Sequence, residues 1–558
     1  MVKKLEVLLL CFIAITLFFS PMWLRLNFEL FSFGSPDSLD MLPNTFWLFI
    51  IILLVLLSLF TYVKNNFSLI VIVCTFLFTA FSSIQWPTIF GWDQFLHTAT
   101  ADSLTKLTES KISGYTLYGI EYPGCFALLN FLKSITGLDY IILAIILSLI
   151  IKLLTLILIY LISKGLIKGK LAQLTVALFI LGNFRFVDYF QFSPQALAFP
   201  LFLMLIILLL KPASRNQLAT MMVLVFVIII SHPFTSVLML ATFLGIYIVQ
   251  RFWCNVKTHM AIWLFFLCIV VWLSWQIHVA LNISLSELTH LMDILKGDFS
   301  VTYLINAVLT FGRGIQNVFL LRYKQIFLAF LAIGTIVGCA VGFKERKARF
   351  FIGVLLGALL FCVALTVLSE PPSRIWLDRA ILLGLLAPII LTVYAFTAFR
   401  RSRKLALKIL PYFCIMLIPL SFFANFQYTY MFSIKRSEMS SINFLSTVPG
   451  ENLDISSDSI TLIVARHWDI YNNGNRTFSG YRLGRFETDP EQLYQEEKFL
   501  DSDLILRSFR QKVDWYYVQG IDPTVWDRLD YELLLSDPFR HKIYDSNYAQ
   551  IYIRNNED

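Results

Sequence analysis

The sequence predicts a mainly α-helical, polytopic membrane bundle of about 13 spans with a small soluble α/β domain at its C-terminal end. Three observations predict it. Of 558 residues, 58% are hydrophobic and 15% charged, and the mean hydropathy is +0.71; a soluble domain is about half apolar and a quarter charged. The apolar residues come in runs of about 20, the length that crosses a bilayer. These runs are separated by short basic clusters and stop after Asn425, where polar and charged residues take over.

Runs of spanning length fall at 5–24, 44–63, 67–84, 139–161, 171–186, 195–211, 217–231, 234–252, 260–278, 324–343, 350–368, 380–399 and 405–424. The first resembles a signal peptide, but it is long and no small-x-small cleavage site follows, so it reads as a retained helix. Alternate connections are basic: Lys3-Lys4, Lys64, Lys164 to Lys170, Lys211 with Arg215, Arg251 with Lys257, KERKAR at 344–349 and RRSRK at 400–404. The positive-inside rule places these and the N-terminus in the cytoplasm and the C-terminal domain outside, as expected for an integral multi-pass protein of a prokaryotic cell membrane. The other loops are then external: 25–43, the large first loop 85–138, 183–194, Ser231-His232-Pro233, 279–322 and EPPSRIWLDR at 370–379.

The chain divides into a membrane part, 1–424, and a soluble part, 425–558, long enough to hold its own core. In the soluble part TLIVA (461–465), DWYYVQG (514–520) and AQIYIRN (549–555) read as strands, being rich in β-branched and aromatic residues. Asp489 to Gln511 reads as a helix opening on Asp489-Pro490. The eight cysteines make no CxxC pair and none follows Cys414, which excludes a disulfide-built ectodomain and a Cys-ligated metal site. The net charge of +8 sits in topology-setting loops and is no nucleic-acid signature. No GxxxxGK[ST] loop is present, so the short inner loops offer no nucleotide site.

The polar residues with chemical potential lie on the expected outer face. In the first large loop, GWDQFLHTATADSL, Asp93 and His97 are four apart and share one face of a helix. Phe95, Leu96, Ala99, Leu104 and Leu107 fit a helix lying on the membrane surface. Asp93 also reads as a simple N-cap, and Glu121 beside Tyr122-Pro123-Gly124 as a turn residue. In the next outer loop, NFRFVDYFQFSPQ, Arg185 and Asp188 are either a local ion pair or part of a pocket with Asp93. His232, before Pro233, is a candidate ionisable group at membrane depth or a helix-capping residue. Arg313, Arg322, Lys324, Arg374 and Arg379 break the positive-inside pattern; an Arg fork suits phosphate oxygens, and pairing with Glu370, Asp378 or lipid headgroups is the alternative. Asn282-Ile283-Ser284 and Asn475-Arg476-Thr477 are sequons.

With WDQFLH…A in the first large outer loop, EYPG at its close, SPQ after an outer Asp and the terminal FRHKIYDSNYAQIYIRN, the chain resembles the GT-C class of membrane glycosyltransferases. The resemblance implies a polyprenyl-phosphate sugar donor and an Asp in that loop as catalytic base or metal ligand, which falls on Asp93. A second acidic residue in the following outer loop points to Asp188. Here two additional spans precede the loop. HWDIY at 467–471 lacks the second Trp and the Gly of the WWDYG motif of oligosaccharyltransferases. What the resemblance implies is an inverting single displacement. Asp93 takes the proton of an acceptor hydroxyl, with His97 orienting it or sharing a divalent metal (Mg or Mn). Arg374 or Arg379 offsets charge on the departing phosphate. Glu121, Arg185, His232 and Arg313 complete the candidate substrate- and phosphate-binding set. The expected partners are a lipid-linked sugar donor, membrane lipids and a glycan, lipid or protein acceptor. A transporter or flippase of lipid-linked glycans is the alternative, set against an expected lack of mid-helix charges and Gly/Pro breaks; a non-catalytic envelope assembly protein is the third.

Overall fold

The computed structural model describes residues 92–105, 114–167, 169–182, 191–211, 214–253, 259–282, 318–368 and 384–397, together with strands between 452 and 554 and a few single residues. The helices are α1 (Trp92–Thr105), α2 (Gly114–Glu121), α3 (Gly124–Thr136), α4 (Tyr140–Leu166), α5 (Lys170–Gly182), α6 (Pro194–Leu209), α7 (Arg215–Ser231), α8 (Pro233–Trp253), α9 (His259–His278), α10 (Val318–Gly342), α11 (Arg346–Leu368) and α12 (Leu386–Thr397). From α4 onward they coincide with the apolar runs read from 139 to 399. The runs at 5–24, 44–63 and 67–84, and most of 405–424, lie outside the described residues. Tyr140–Leu166, Pro233–Phe252 and Gln325–Gly342 are long and apolar enough to cross a membrane.

Local chemistry punctuates these helices where the sequence turns polar. Asp139 accepts the Ile141 N–H at 2.7 Å and opens α4. Ser193 accepts the Ala196 N–H at 3.2 Å, with Pro194 supplying a first turn that needs no N–H. Ser214 does the same for Gln217 at the start of α7. Gly137, at φ 68°, closes α3 in the left-handed region and donates its N–H to the Lys133 carbonyl at 2.9 Å. Three residues later α4 begins, so α3 folds back on its N-terminal end.

One apolar core runs from α4 to α12, with α5 buried along nearly its whole length at the centre. The most extensive helix pair is α8 against α11. There Gly353 and Gly357, four apart, admit the backbone of α8. A Cβ on Gly357 would lie 2.4 Å from the Thr242 Cα, and one on Gly353 2.6 Å from the Ile246 Cα. Such small-xxx-small crossings replace the hydrophobic driving force that lipid removes. A smaller core of Ala101, Phe126, Leu129, Tyr140, Leu143 and Phe192 lies under the first loop, where α1, α3 and α4 meet.

The two ends of the bundle are marked by separate ties. At one, Lys347 Nζ donates to the Gly165 carbonyl at 3.0 Å, joining the basic turn after α4 to the basic turn before α11. At the other, the turn between α2 and α3 is bonded to α9. The 27 residues of α4 span about 40 Å between these ends.

In the C-terminal part β1 (Asn452–Asp458), β2 (Thr477–Ser479), β3 (Arg482–Leu483), β4 (Leu504–Ser508), β5 (Arg540–Ser546) and β6 (Ala549–Arg554) form one mixed sheet, with path β2-β1-β4-β6-β5 and β3 also on β1. β1 runs parallel to β2, β3 and β4, β6 is antiparallel to β4, and β5–β6 is a hairpin closing at Ser546↔Ala549. β6 falls where AQIYIRN reads as a strand; 461–465 and 514–520 lie outside the described residues. The helix expected over 489–511 is corrected at its end. LILRS is β4, because its run of Leu504, Ile505 and Leu506 pairs with β1 on one side and β6 on the other, and ladder partners override a local helix signal.

Candidate functional site at the first-loop end

Asp93 and His97 lie one turn apart on α1. Burial along the helix does not follow one apolar face, which corrects the amphipathic reading. Polar and apolar residues alike are buried along it: Gln94, Leu96, Thr98, Ala99, Thr100, Ala101 and Asp102. The cause is packing on several sides, since α2, α3 and α4 all contact α1. Gly119 lets α2 close in, its Cβ position lying 2.6 Å from the Thr100 Cγ2. The His97 ring is half-buried and tilts against Phe126 at 5.8 Å. The Asp93 side chain lies outside the described residues.

Nine residues beyond Asp93, about 180° round the helix at 100° per residue, Asp102 is buried. Its Oδ1 is 3.9 Å from Lys133 Nζ on α3. That ammonium stands 3.7 Å above the Tyr140 ring at the start of α4, and Tyr140 donates its hydroxyl to Asn130 Oδ1 at 2.8 Å. One carboxylate, one cation and one ring therefore join three elements on the side of α1 away from Asp93. The sequence reading passed over Asp102 because it treated this helix as amphipathic; its signal was a charge amid residues assigned to an apolar face.

Glu121 and His232 come to the same end of the bundle. Glu121, 1% exposed, accepts the Trp275 Nε1–H on its backbone carbonyl at 3.0 Å. Tyr122 donates its hydroxyl to Gln276 Oε1, also at 3.0 Å. Gly124 abuts the end of α7, its Cβ position 2.4 Å from Ser231 Oγ. His232 follows directly and caps α8. Its Nδ1 accepts the Thr235 N–H at 3.2 Å and lies 2.9 Å from the Thr235 hydroxyl. That bond places the proton of the neutral ring on Nε2. The capping reading thus describes what Nδ1 does. Arg185, Asp188, Arg313, Arg374 and Arg379 lie outside the described residues, as do the side chains of Arg322 and Lys324.

No family model matches the sequence, and no curated protein matches it. Among solved structures, the chain is similar to the archaeal oligosaccharyltransferase AglB of Archaeoglobus fulgidus, in complex with an inhibitory peptide and a dolichol-phosphate. The identity is 11%, over 83% of this chain and 72% of that one, with a TM-score of 0.44. It is also similar to ArnT of Cupriavidus metallidurans bound to undecaprenyl phosphate, at 10% identity over 88% of this chain and 98% of that one, with a TM-score of 0.46. Likeness of that extent leaves the chain's own geometry as the ground for a functional reading.

Two further polar residues bear on that reading. Gln94, beside Asp93, is 2% exposed and its Nε2 has no hydrogen-bond partner among the described residues. Lys152 is wholly buried, about 18 Å down α4 from Tyr140, on the same side of the helix as Ser148 and Thr155. This corrects the expected lack of mid-helix charges, and a lysine inside an otherwise apolar run was visible in the sequence. Among the described residues no group of three or more His, Cys, Asp and Glu converges as a metal site. The Asp93 side chain and the 183–190 loop lie outside that set.

Proposed function

We propose that the chain is a membrane glycosyltransferase that moves a sugar from a polyprenyl-phosphate-linked donor to an acceptor hydroxyl at the outer face, by an inverting single displacement. The observation that carries this reading is the setting of α1. A helix bearing Asp93 and His97 on one face is buried within the protein and held on its other face through Asp102, Lys133 and Tyr140. A helix so held fixes the backbone from which Asp93 extends, and a general base is effective when its mount does not move relative to the substrate. In the reaction, Asp93 takes the proton of the acceptor hydroxyl as its oxygen attacks the anomeric carbon. The bond from that carbon to the phosphate oxygen breaks, and its electron pair leaves with the polyprenyl phosphate. Asp188 assists as second acid, Arg185, Arg313, Arg374 and Arg379 hold the donor phosphate, and Mg or Mn is the divalent ion the Asp93–His97 pair would take.

Incubating the purified chain with a panel of polyprenyl-phosphate sugars, and scoring sugar release, tests this. Asp93→Asn is expected to lower turnover by roughly 10²- to 10⁴-fold with unchanged folding; a fully active Asp93→Asn protein sinks the proposal. A second reading, movement of a lipid-linked glycan across the membrane, is favoured by Lys152, since a buried ionisable group within a span marks a substrate or ion path in many transporters. Translocation of a labelled donor in liposomes, abolished by Lys152→Met while Asp93→Asn leaves it intact, is the outcome that would select it.

A further inference from the structure

We propose that the bundle end opposite the first loop binds a lipid carrying two phosphates, of the diphosphatidylglycerol (cardiolipin) class, between the α4–α5 turn and the α10–α11 turn. The tie from Lys347 Nζ to the Gly165 carbonyl, at 3.0 Å, joins two turns 182 positions apart in the sequence, and both are basic. One carries Lys164 and Lys170 and the other Lys344, Arg346 and Lys347, with Glu345 the one acidic residue of either. Lys164, Lys344, Arg346 and Lys347 are all exposed. Glu345 accepts the Tyr394 hydroxyl of α12 on its Oε2. Cations gathered in this way repel one another, and the repulsion grows where low-dielectric material adjoins them. An anion that bridges the two turns offsets it.

The chemistry of that anion follows from the surface beside the cations. Ile157 and Leu161 lie on the exposed side of α4. Lys164 comes three residues after Leu161, so it stands at the end of that apolar stripe. On the other turn the exposed Phe343 directly precedes Lys344. Tyr140–Leu166 and Gln325–Gly342, the helices that run into the two turns, are each long and apolar enough to cross a membrane. Each turn therefore sets cations beside an apolar approach, which suits the headgroup and the acyl chains of a phospholipid. A free anion would use the cations alone.

The number of phosphates follows from the pairing of the turns. Both supply cations, both have an apolar approach, and one hydrogen bond holds them side by side. A headgroup with two phosphates on a short linker engages both turns at once. Clusters of Lys and Arg beside a span attract anionic headgroups, and basic pockets between helices take the doubly charged ones. Lys347 holds the turns together through Gly165, which leaves Lys344, Arg346 and Lys164 to the ligand.

The test uses the full chain in detergent and needs no glycosyl substrate. The protein is titrated with tetraoleoyl cardiolipin, with phosphatidylglycerol at equal total charge, and with inorganic phosphate. Bound lipid is counted by native mass spectrometry and the thermal midpoint is followed alongside. Cardiolipin is expected to remain bound and to raise the midpoint, as a ligand of the folded state does; the other two are expected to leave it unchanged. Each cation beside an anionic headgroup contributes about five- to sixfold in binding. Lys344→Gln with Arg346→Gln, which keeps the Lys347 tie, is therefore expected to bind cardiolipin about thirtyfold more weakly, with the lipid-free midpoint of the wild type. Should that midpoint fall, Lys164→Gln on the other turn decides, with an expected loss of about five- to sixfold. Wild-type affinity in these variants overturns the site. Equal binding of phosphatidylglycerol overturns the two-phosphate reading, and an equal effect of inorganic phosphate overturns the lipid.

Discussion

Where α8 crosses α11, backbone meets backbone across glycines; where α1 meets α3 and α4, side chains meet through a carboxylate, an ammonium and hydroxyls. The first contact lies among helices wrapped in apolar side chains, where a polar tie would need every partner supplied by protein. Close approach of two smooth surfaces gains dispersion there without that demand. The second lies at a bundle end, beside loops, where a cation such as Lys133 can keep 40% of its side chain exposed. The difference teaches that the α8–α11 crossing is fixed by shape and the candidate site by a chain of individually modest polar contacts.

Four substitutions test that contrast. Gly357→Leu has the largest expected effect, since its first side-chain atom already meets the Thr242 Cα; a loss of about 3 kcal/mol or more is expected, read as a collapse of the thermal midpoint in detergent and of activity together. Asp102→Ala comes next, at about 2 kcal/mol, because the remaining Lys133 can turn to water rather than stay unpaired. Transfer should fall further than the stability loss explains, as α1 loosens around Asp93; equal proportional losses would remove the positioning role. For His232→Ala the loss is that of a helix cap, about 1 kcal/mol, and His232→Asn should restore most of it in the same unfolding assay. Tyr122→Phe removes one hydroxyl bond to Gln276, and the expected change is under about 1 kcal/mol. A loss there as large as that of Gly357→Leu would erase the contrast.

The helices from 139 to 399 were legible because a bilayer imposes a run length on the sequence, and three of those described are long and apolar enough to cross one; Asp139, Ser193 and Ser214 then mark where helices open. The partners of those spans were not legible. Gly353 and Gly357 can be seen at a spacing of four, but nothing local says that Thr242 and Ile246 face them. At the site, the sharing of one helix by Asp93 and His97 follows from spacing alone. The burial of that helix does not, since it depends on Gly119 and on α3 folding back at Gly137. Asp102 and Lys133 are 31 positions apart in the sequence, and only that fold-back brings them together. β4 was missed for the same reason: its ladder partners lie about 45 positions away on either side.

Lys152 also has a consequence for how the chain is made. A charged residue at the centre of a helix resists transfer from the insertion machinery into lipid by about 2.5–3.5 kcal/mol. The chain places this residue in α4, the most apolar of the three described helices fit to span, where the surrounding isoleucines and leucines outweigh that resistance. Moved to Pro233–Phe252, the least apolar of the three, the same lysine would compete with insertion itself. α4 can thus enter the membrane during synthesis with its charge uncovered and acquire neighbours afterwards.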